Sequence, residues 1–265
     1  MVLLATLLLG PILLAGESAP RDAPSYSTDS IVNSADYQTG PLAPNTIGSL
    51  YGKGLAYATR ALTGEDITGG ILPSVLPGTG LRILIGGIAA NIFYVSPNQI
   101  NFLVPSNLKP GRTDFQVVLN GITGPLLPLD LAVASPALFQ LDAQTAIAVR
   151  PDGSLITAVA PSHAGDVVIV YATGLGDTVP PISYSSIAPR AALLKGLADF
   201  KVLLDGIPLD AGLVLYAGVA PGFAGLYQIN ILLPNNVNAT PDIQIGLGTA
   251  LSPGGVKLPV SLIAP

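Results

Sequence analysis

The chain contains no cysteine and no tryptophan, and His163 is its one histidine in 265 residues. Without cysteine there is no disulfide framework, no thiolate metal site, no cysteine nucleophile and no cysteine to lipidate. A single imidazole excludes a multi-histidine metal centre. Charge is scarce as well: charged residues are 10% of the chain, against about 25% in an average soluble protein. The 11 lysines and arginines form no cluster and the net charge is −5, which argues against a surface that tracks nucleic-acid phosphates. Glu, Lys and Arg, which normally cover helix surfaces, are too few for a helical bundle.

What is present points to strands and turns. Hydrophobic residues are 49% of the chain, ample for a packed core and incompatible with disorder driven by charge. Gly 30 and Pro 25 together make about a fifth of the sequence, well above the usual share. Short apolar, β-branched runs such as Val202-Leu203-Leu204 are bounded by Gly, Pro, Asn or Asp. Asn120-Gly121, Asp152-Gly153 and Asp205-Gly206 are hairpin-type turn pairs, because they tolerate positive φ. An all-β protein of many short strands is expected.

Residues 2–15 form one apolar run, too short for a bilayer span of about 20 residues but suited to the hydrophobic region of a secretory signal. Residues 1–19 are therefore read as a signal peptide and residues 20–30, rich in Pro and Ser, as a linker. This predicts a secreted, extracellular or cell-surface protein without a transmembrane segment.

The remainder repeats itself. Ser49-Leu50-Tyr51-Gly52-Lys53-Gly54-Leu55 stands beside Ile169-Val170-Tyr171-Ala172-Thr173-Gly174-Leu175. Leu81-Arg82-Ile83-Leu84-Ile85 matches Phe200-Lys201-Val202-Leu203-Leu204, and Gln99-Ile100-Asn101 matches Gln228-Ile229-Asn230. The order is the same in both halves, with an insertion in the second near residues 219–226. Seven or so strands per repeat predict two tandem immunoglobulin-like β-sandwich domains, residues 31–135 and 136–265, joined almost without a linker.

Several of these segments resemble a known family. They are Leu42-Ala43-Pro44-Asn45-Thr46-Ile47-Gly48, Tyr94-Val95-Ser96-Pro97-Asn98-Gln99-Ile100-Asn101, Pro151-Asp152-Gly153, Gly165-Asp166-Val167 and Ala220-Pro221-Gly222-Phe223. Together they look like the Solibacter-type C-terminal domain of large secreted acidobacterial proteins. The resemblance covers about residues 31–250. It implies an immunoglobulin-like module appended to other extracellular parts, and it brings no catalytic residues. The stretch Ala56 to Gly80 departs from the pattern.

Little in the sequence offers chemistry. Ser162, His163 and Asp166 invite a hydrolase reading, but adjacent side chains on a strand point apart, and no Gly-x-Ser-x-Gly elbow occurs. Asp152, Asp166 and Asp205 read as turn residues bonding their own backbone. No cofactor is expected; the alternative is Ca²⁺ held where carboxylates meet at a loop end. In each Gln-Ile-Asn, Gln and Asn share a strand face. They form either a hydrogen-bonding ladder for sugars or a partner strand, or buried amides satisfying an irregular edge; recurrence in both halves favours the second. The repeat pairs Tyr51/Tyr171 and Tyr94/Tyr216 are expected in the core with tethered hydroxyls, which leaves Tyr57 and Tyr184 as the ligand or partner contacts.

The function read from this is a non-enzymatic interaction protein, working by adhesion or by self-assembly into a surface structure or filament. Its partners would be copies of itself or surface proteins. Poorly charged strand edges invite strand addition. The segment containing Ile31, Val32 and Tyr37 is the candidate donor strand. The alternative is a monomeric module for extracellular polysaccharide.

Overall fold

The computed structural model describes residues 22–262, so the signal-peptide reading of residues 1–19 lies outside the described residues. The protein is all-β. In the first half the strands are β1 (Ile31–Asn33), β2 (Ile47–Tyr51), β3 (Arg60–Ala61), β4 (Leu81–Ile85), β5 (Ile88–Ala89), β6 (Asn91–Val95), β7 (Gln99–Leu103), β8 (Gly111–Leu119), β9 (Ile122–Thr123) and β10 (Leu127–Leu131). In the second they are β11 (Ala137–Leu138), β12 (Gln140–Asp142), β13 (Thr145–Ala146), β14 (Ala148–Val149), β15 (Val167–Thr173), β16 (Thr178–Val179), β17 (Ala192–Leu194), β18 (Phe200–Leu204), β19 (Ile207–Pro208), β20 (Val214–Val219), β21 (Tyr227–Leu232), β22 (Ile243–Leu247) and β23 (Ala250–Leu251). No helix among the described residues is long and apolar enough to cross a membrane.

Each half sandwiches two antiparallel sheets around its own apolar core. The first half pairs β1-β2-β7-β6-β3 with β10-β8-β4-β5; the second pairs β11-β15-β21-β20-β17-β16 with β19-β18-β22-β23. The order β2-β7-β6 in one half is β15-β21-β20 in the other, as the repeated segments require. Alternation sets the faces: in β21 Tyr227, Ile229 and Ile231 point inward and Gln228, Asn230 and Leu232 outward. The first core gathers Leu50, Ile83, Ile100, Phe102 and Phe115, with the Phe102 and Phe115 rings 5.5 Å apart. The second gathers Val170, Val202, Ile229, Ile245 and the fully buried Tyr227. Each such aliphatic side chain contributes roughly 1.5–3 kcal/mol of burial free energy. Asn120-Gly121 and Asp205-Gly206 make the expected hairpin turns, all four residues at positive φ.

The supposed linker is partly built into the fold. Ser25 bridges to Lys53, and the Tyr26 ring meets Phe115 edge-on at 6.0 Å. The Tyr26 hydroxyl donates to the Pro125 carbonyl at 2.7 Å and accepts from the Val117 amide at 2.8 Å. Composition read the Pro and Ser as linker; the side chain of Tyr26 ties that stretch to the sandwich.

The two cores part between Leu131 and Leu138, and the halves then meet again through two segments the repeat does not share. The insertion before β21 brings Ala224 against Leu103 and Leu72, with Ile47, Phe93 and Ile67 around them. Gly225 has φ +72°, and a Cβ there would fall 2.5 Å from the Leu103 side chain and 2.9 Å from the Asn45 carbonyl, so only glycine allows the approach. The stretch Ala56 to Gly80 answers from the other side. The Ile187 amide donates to the Gly70 carbonyl at 2.9 Å and the Leu72 amide to the Ser185 carbonyl at 2.7 Å. At the centre the buried Thr173 hydroxyl accepts from the Ile47 amide at 2.9 Å and donates to the Gly225 carbonyl at 2.7 Å.

Candidate functional site

The outer face of the first sheet carries the most distinctive group of polar side chains. Because Leu50 and Ile100 face the core, Ser49, Tyr51, Gln99 and Asn101 lie on the opposite face of the sheet, with Ser49 buried there beside Ser34 and the other three partly exposed. Tyr51 lies opposite Gln99, and Ser49 opposite Asn101. Tyr94 joins them opposite Asn101, brought there by a one-residue bulge in β6. Hydrogen bonds chain the polar groups together. Ser34 Oγ lies 2.7 Å from Ser49 Oγ, Ser49 donates to Asn101 Oδ1 at 3.1 Å, and Gln99 Nε2 donates to the same oxygen at 2.8 Å. Asn101 Oδ1 is thereby saturated, while among the described residues the Asn101 amide hydrogens and the Gln99 carbonyl take no further hydrogen bond. Tyr37, 62% exposed, stands close enough to Tyr51 to act on it. Burial and that neighbour push the Tyr51 phenol above its ordinary range, so it is neutral at physiological pH. The strands β1, β2, β6 and β7 contain no charged residue.

The second half repeats this surface. Tyr171 lies opposite Gln228, and Tyr216 meets Asn230 across a bulge at the equivalent place. Gln228 Nε2 donates to Asn230 Oδ1 at 2.8 Å. Ile169 stands where the first face has Ser49. The Tyr216 hydroxyl donates to the Val219 carbonyl at 2.7 Å, and burial pushes its pKa up. The core placement expected for Tyr51, Tyr171, Tyr94 and Tyr216 is thus corrected: alternation turns their neighbours Leu50, Val170, Val95 and Ala217 inward and the tyrosines outward. The Gln-Ile-Asn motifs sit on central strands, not on an irregular edge.

The residues singled out from sequence lie elsewhere. Tyr57 is exposed in a bend after Leu55 and Ala56. Tyr184 is half-buried, and its hydroxyl donates to the Ala89 carbonyl of the other half, so this side chain joins the halves. Ile31 and Val32 are buried in β1, paired with Leu50 and Ser49 of their own sheet. The turn through Tyr37, which has φ +58°, folds back so that Thr39 bridges Val32 and the Asn33 amide donates to Gln38. That turn covers part of the free edge of β1.

The hydrolase residues are spent on structure. Ser162 is fully buried and donates to the Pro259 carbonyl at 2.9 Å. Asp166 accepts from the His163 amide at 2.8 Å, with its carboxylate 3.6 Å from the ring. Asp152 accepts from the Ser154 amide, and Asp205 from Asn238 and the Asp242 amide. Among the described residues no three His, Cys, Asp or Glu side chains gather as a metal site would require. A groove of about 890 Å³ runs between the halves beside Val133, Lys109 and Asp199, and within it Lys195 pairs with Asp177 at 3.6 Å.

No family model and no curated protein matches the chain. Among solved structures it is similar to a surface glycan-binding protein from Prevotella bryantii (12% identity, TM-score 0.27, covering 88% of this chain and 41% of that one). It is also similar to a Bacteroides ovatus glycan-binding protein in complex with a mixed-linkage heptasaccharide (10% identity, TM-score 0.33, 94% and 48%). A third is domains 5–6 of the S-layer protein SbsC (10% identity, TM-score 0.26, 91% and 100%). The chain spans less than half the length of the two glycan-binding structures. At TM-scores below 0.5 these likenesses do not bear on what the face takes.

Proposed function

We propose that the chain is a non-enzymatic extracellular binding protein and that the outer face of β2, β7 and β6 holds a neutral polysaccharide. The observation that carries this is the uncharged face itself: tyrosine rings beside a hydrogen-bond chain that runs Ser34-Ser49-Asn101-Gln99. Tyrosine offers large, rigid contact area at low entropic cost, and a few placed polar groups set orientation. A polyhydroxylated, uncharged ligand matches such a surface in both charge and hydrogen bonding. The resemblance to secreted acidobacterial domains supports the extracellular setting.

Native electrophoresis through gels containing starch, xylan, galactomannan or β-glucan tests it. The protein is retarded by at least one of them, and Tyr51→Ala or Asn101→Ala weakens that retardation about tenfold or more. Binding to none of the four, or full binding by both variants, overturns the reading.

Self-assembly through β1 stands second. Its support is the low charge of the strands; against it, Ile31 and Val32 fill their own sheet and the 34–39 turn has to open before another chain can pair there.

A further inference from the structure

The second face is unused by the reading above. We infer that Tyr171, Gln228, Asn230 and Tyr216 form a second binding site for the same neutral polysaccharide, so that one chain grips a polymer at two places. This rests on the first face being a polysaccharide site.

The two faces agree in more than residue type. Tyrosine stands opposite glutamine in both, Tyr51 with Gln99 and Tyr171 with Gln228. A bulge brings a second tyrosine opposite the asparagine in both, Tyr94 at Asn101 and Tyr216 at Asn230. Bulges re-aim side chains, so the same bulge at the same register turns a tyrosine to the outer face in both halves, the Tyr216 hydroxyl being held by the Val219 carbonyl. The Gln-to-Asn bond is 2.8 Å in each, and among the described residues the same amide hydrogens and the same glutamine carbonyl take no further bond. The strands β15, β20 and β21 are as free of charge as their counterparts. Two copies of one neutral site in one chain match a ligand that is itself neutral and repeats along its length.

The joint between the halves gives the duplication its effect. Thr173, Ala224 and Gly225 hold the two sandwiches against each other, so the sites keep one spacing. Once one site engages a polymer, the second binds as an intramolecular step, and such linkage strengthens binding by about 10²–10⁴ over one site alone. Ile169 in place of Ser49 shortens the hydrogen-bond chain, making the second face the weaker one.

Calorimetric titration compares the wild type, Tyr51→Ser/Asn101→Ala, Tyr171→Ser/Asn230→Ala and the combined variant. The probes are the polysaccharide that retards the wild type and its hexasaccharide. Two hexasaccharides bind per wild-type chain and one per single-face variant, and either variant loses about a hundredfold or more in polymer affinity. Should the second-face variant not melt cooperatively, Gln228→Glu takes its place, adding charge without changing shape. One hexasaccharide per wild-type chain with the second-face variant unaffected overturns this inference and leaves the first site standing. Loss confined to the second-face variant overturns it too, by leaving a single site in the second half. A wild type that none of the four polysaccharides retards overturns both.

Discussion

Thr173→Val changes one oxygen for a methyl group at the centre of the joint. The side chain is fully buried and its shape is kept, so the perturbation is chemical rather than steric. Two backbone groups lose their partner at once: the Ile47 amide, bonded at 2.9 Å, and the Gly225 carbonyl, bonded at 2.7 Å. Each buried group left unsatisfied costs about 1–3 kcal/mol, so the variant loses about 2–6 kcal/mol. For a chain of this size that is a fall in melting temperature of about 4–24 °C. Because both groups lie between the two cores, the loss falls on their coupling. Scanning calorimetry of the wild type gives one transition; the variant gives two, and proteases reach residues 132–136, where Val133 is already 73% exposed. Ser162→Ala is the control, since it removes a buried hydroxyl bond inside the second sandwich alone. A Thr173→Val protein that melts within about 1 °C of the wild type, or a Ser162→Ala protein that splits the transition equally, refutes the reasoning.

Three further outcomes are expected. Hydrogen bonds from Asn238 and the Asp242 amide hold the Asp205 carboxyl below the usual carboxylate range, so its stabilisation is present above about pH 4 and is lost as pH falls through the folded value. Asp205→Asn, which tolerates the φ of +51° there, flattens the fall in melting temperature between neutral and strongly acidic buffer. Burial, and then the Asp177 charge, push the Tyr227 phenol up, so its contribution is complete below about pH 10 and is lost as pH rises through the folded value. Tyrosinate ultraviolet absorbance titrated upward shows a fraction of tyrosines that ionise only on unfolding, and Tyr227→Phe shrinks that fraction by one. Light scattering of the purified protein gives a monomer; long regular particles that vanish on deleting residues 31–37 would instead support strand exchange at β1.

The sequence made the strands legible where alternation and turn pairs coincide. Asn120-Gly121 and Asp205-Gly206 lie in the expected hairpins, and the three repeated segments fall on equivalent strands. The proposed binding face was harder. Gln99 and Asn101 are visible as a pair because they are two residues apart, but their tyrosines come from β2 and β6, and only strand register brings them together. A repeated tyrosine also looks like a core residue, since repetition reports a common constraint without saying which side of the sheet bears it. Tyr184 misled for a related reason: a tyrosine without a counterpart in the repeat suggests a ligand contact, and its use is a bond to Ala89 across the joint. The stretch Ala56 to Gly80 and the 219–226 insertion break the repeat for the same cause, since each supplies one side of the contact between halves.

That shared cause bears on how such a chain arises. An ancestral copy doubled end to end would have presented Ile47, Phe93 and Leu103 to solvent, an apolar corner on an otherwise quiet sheet. The 56–80 stretch and the 219–226 insertion cover that corner from both directions, one loop from each half. After that step neither copy is interchangeable with a single-copy relative: trading one half for a foreign sandwich strips the cover from the other. The unit that folds is then the couple, and a change on one side of the seam is felt by the half across it.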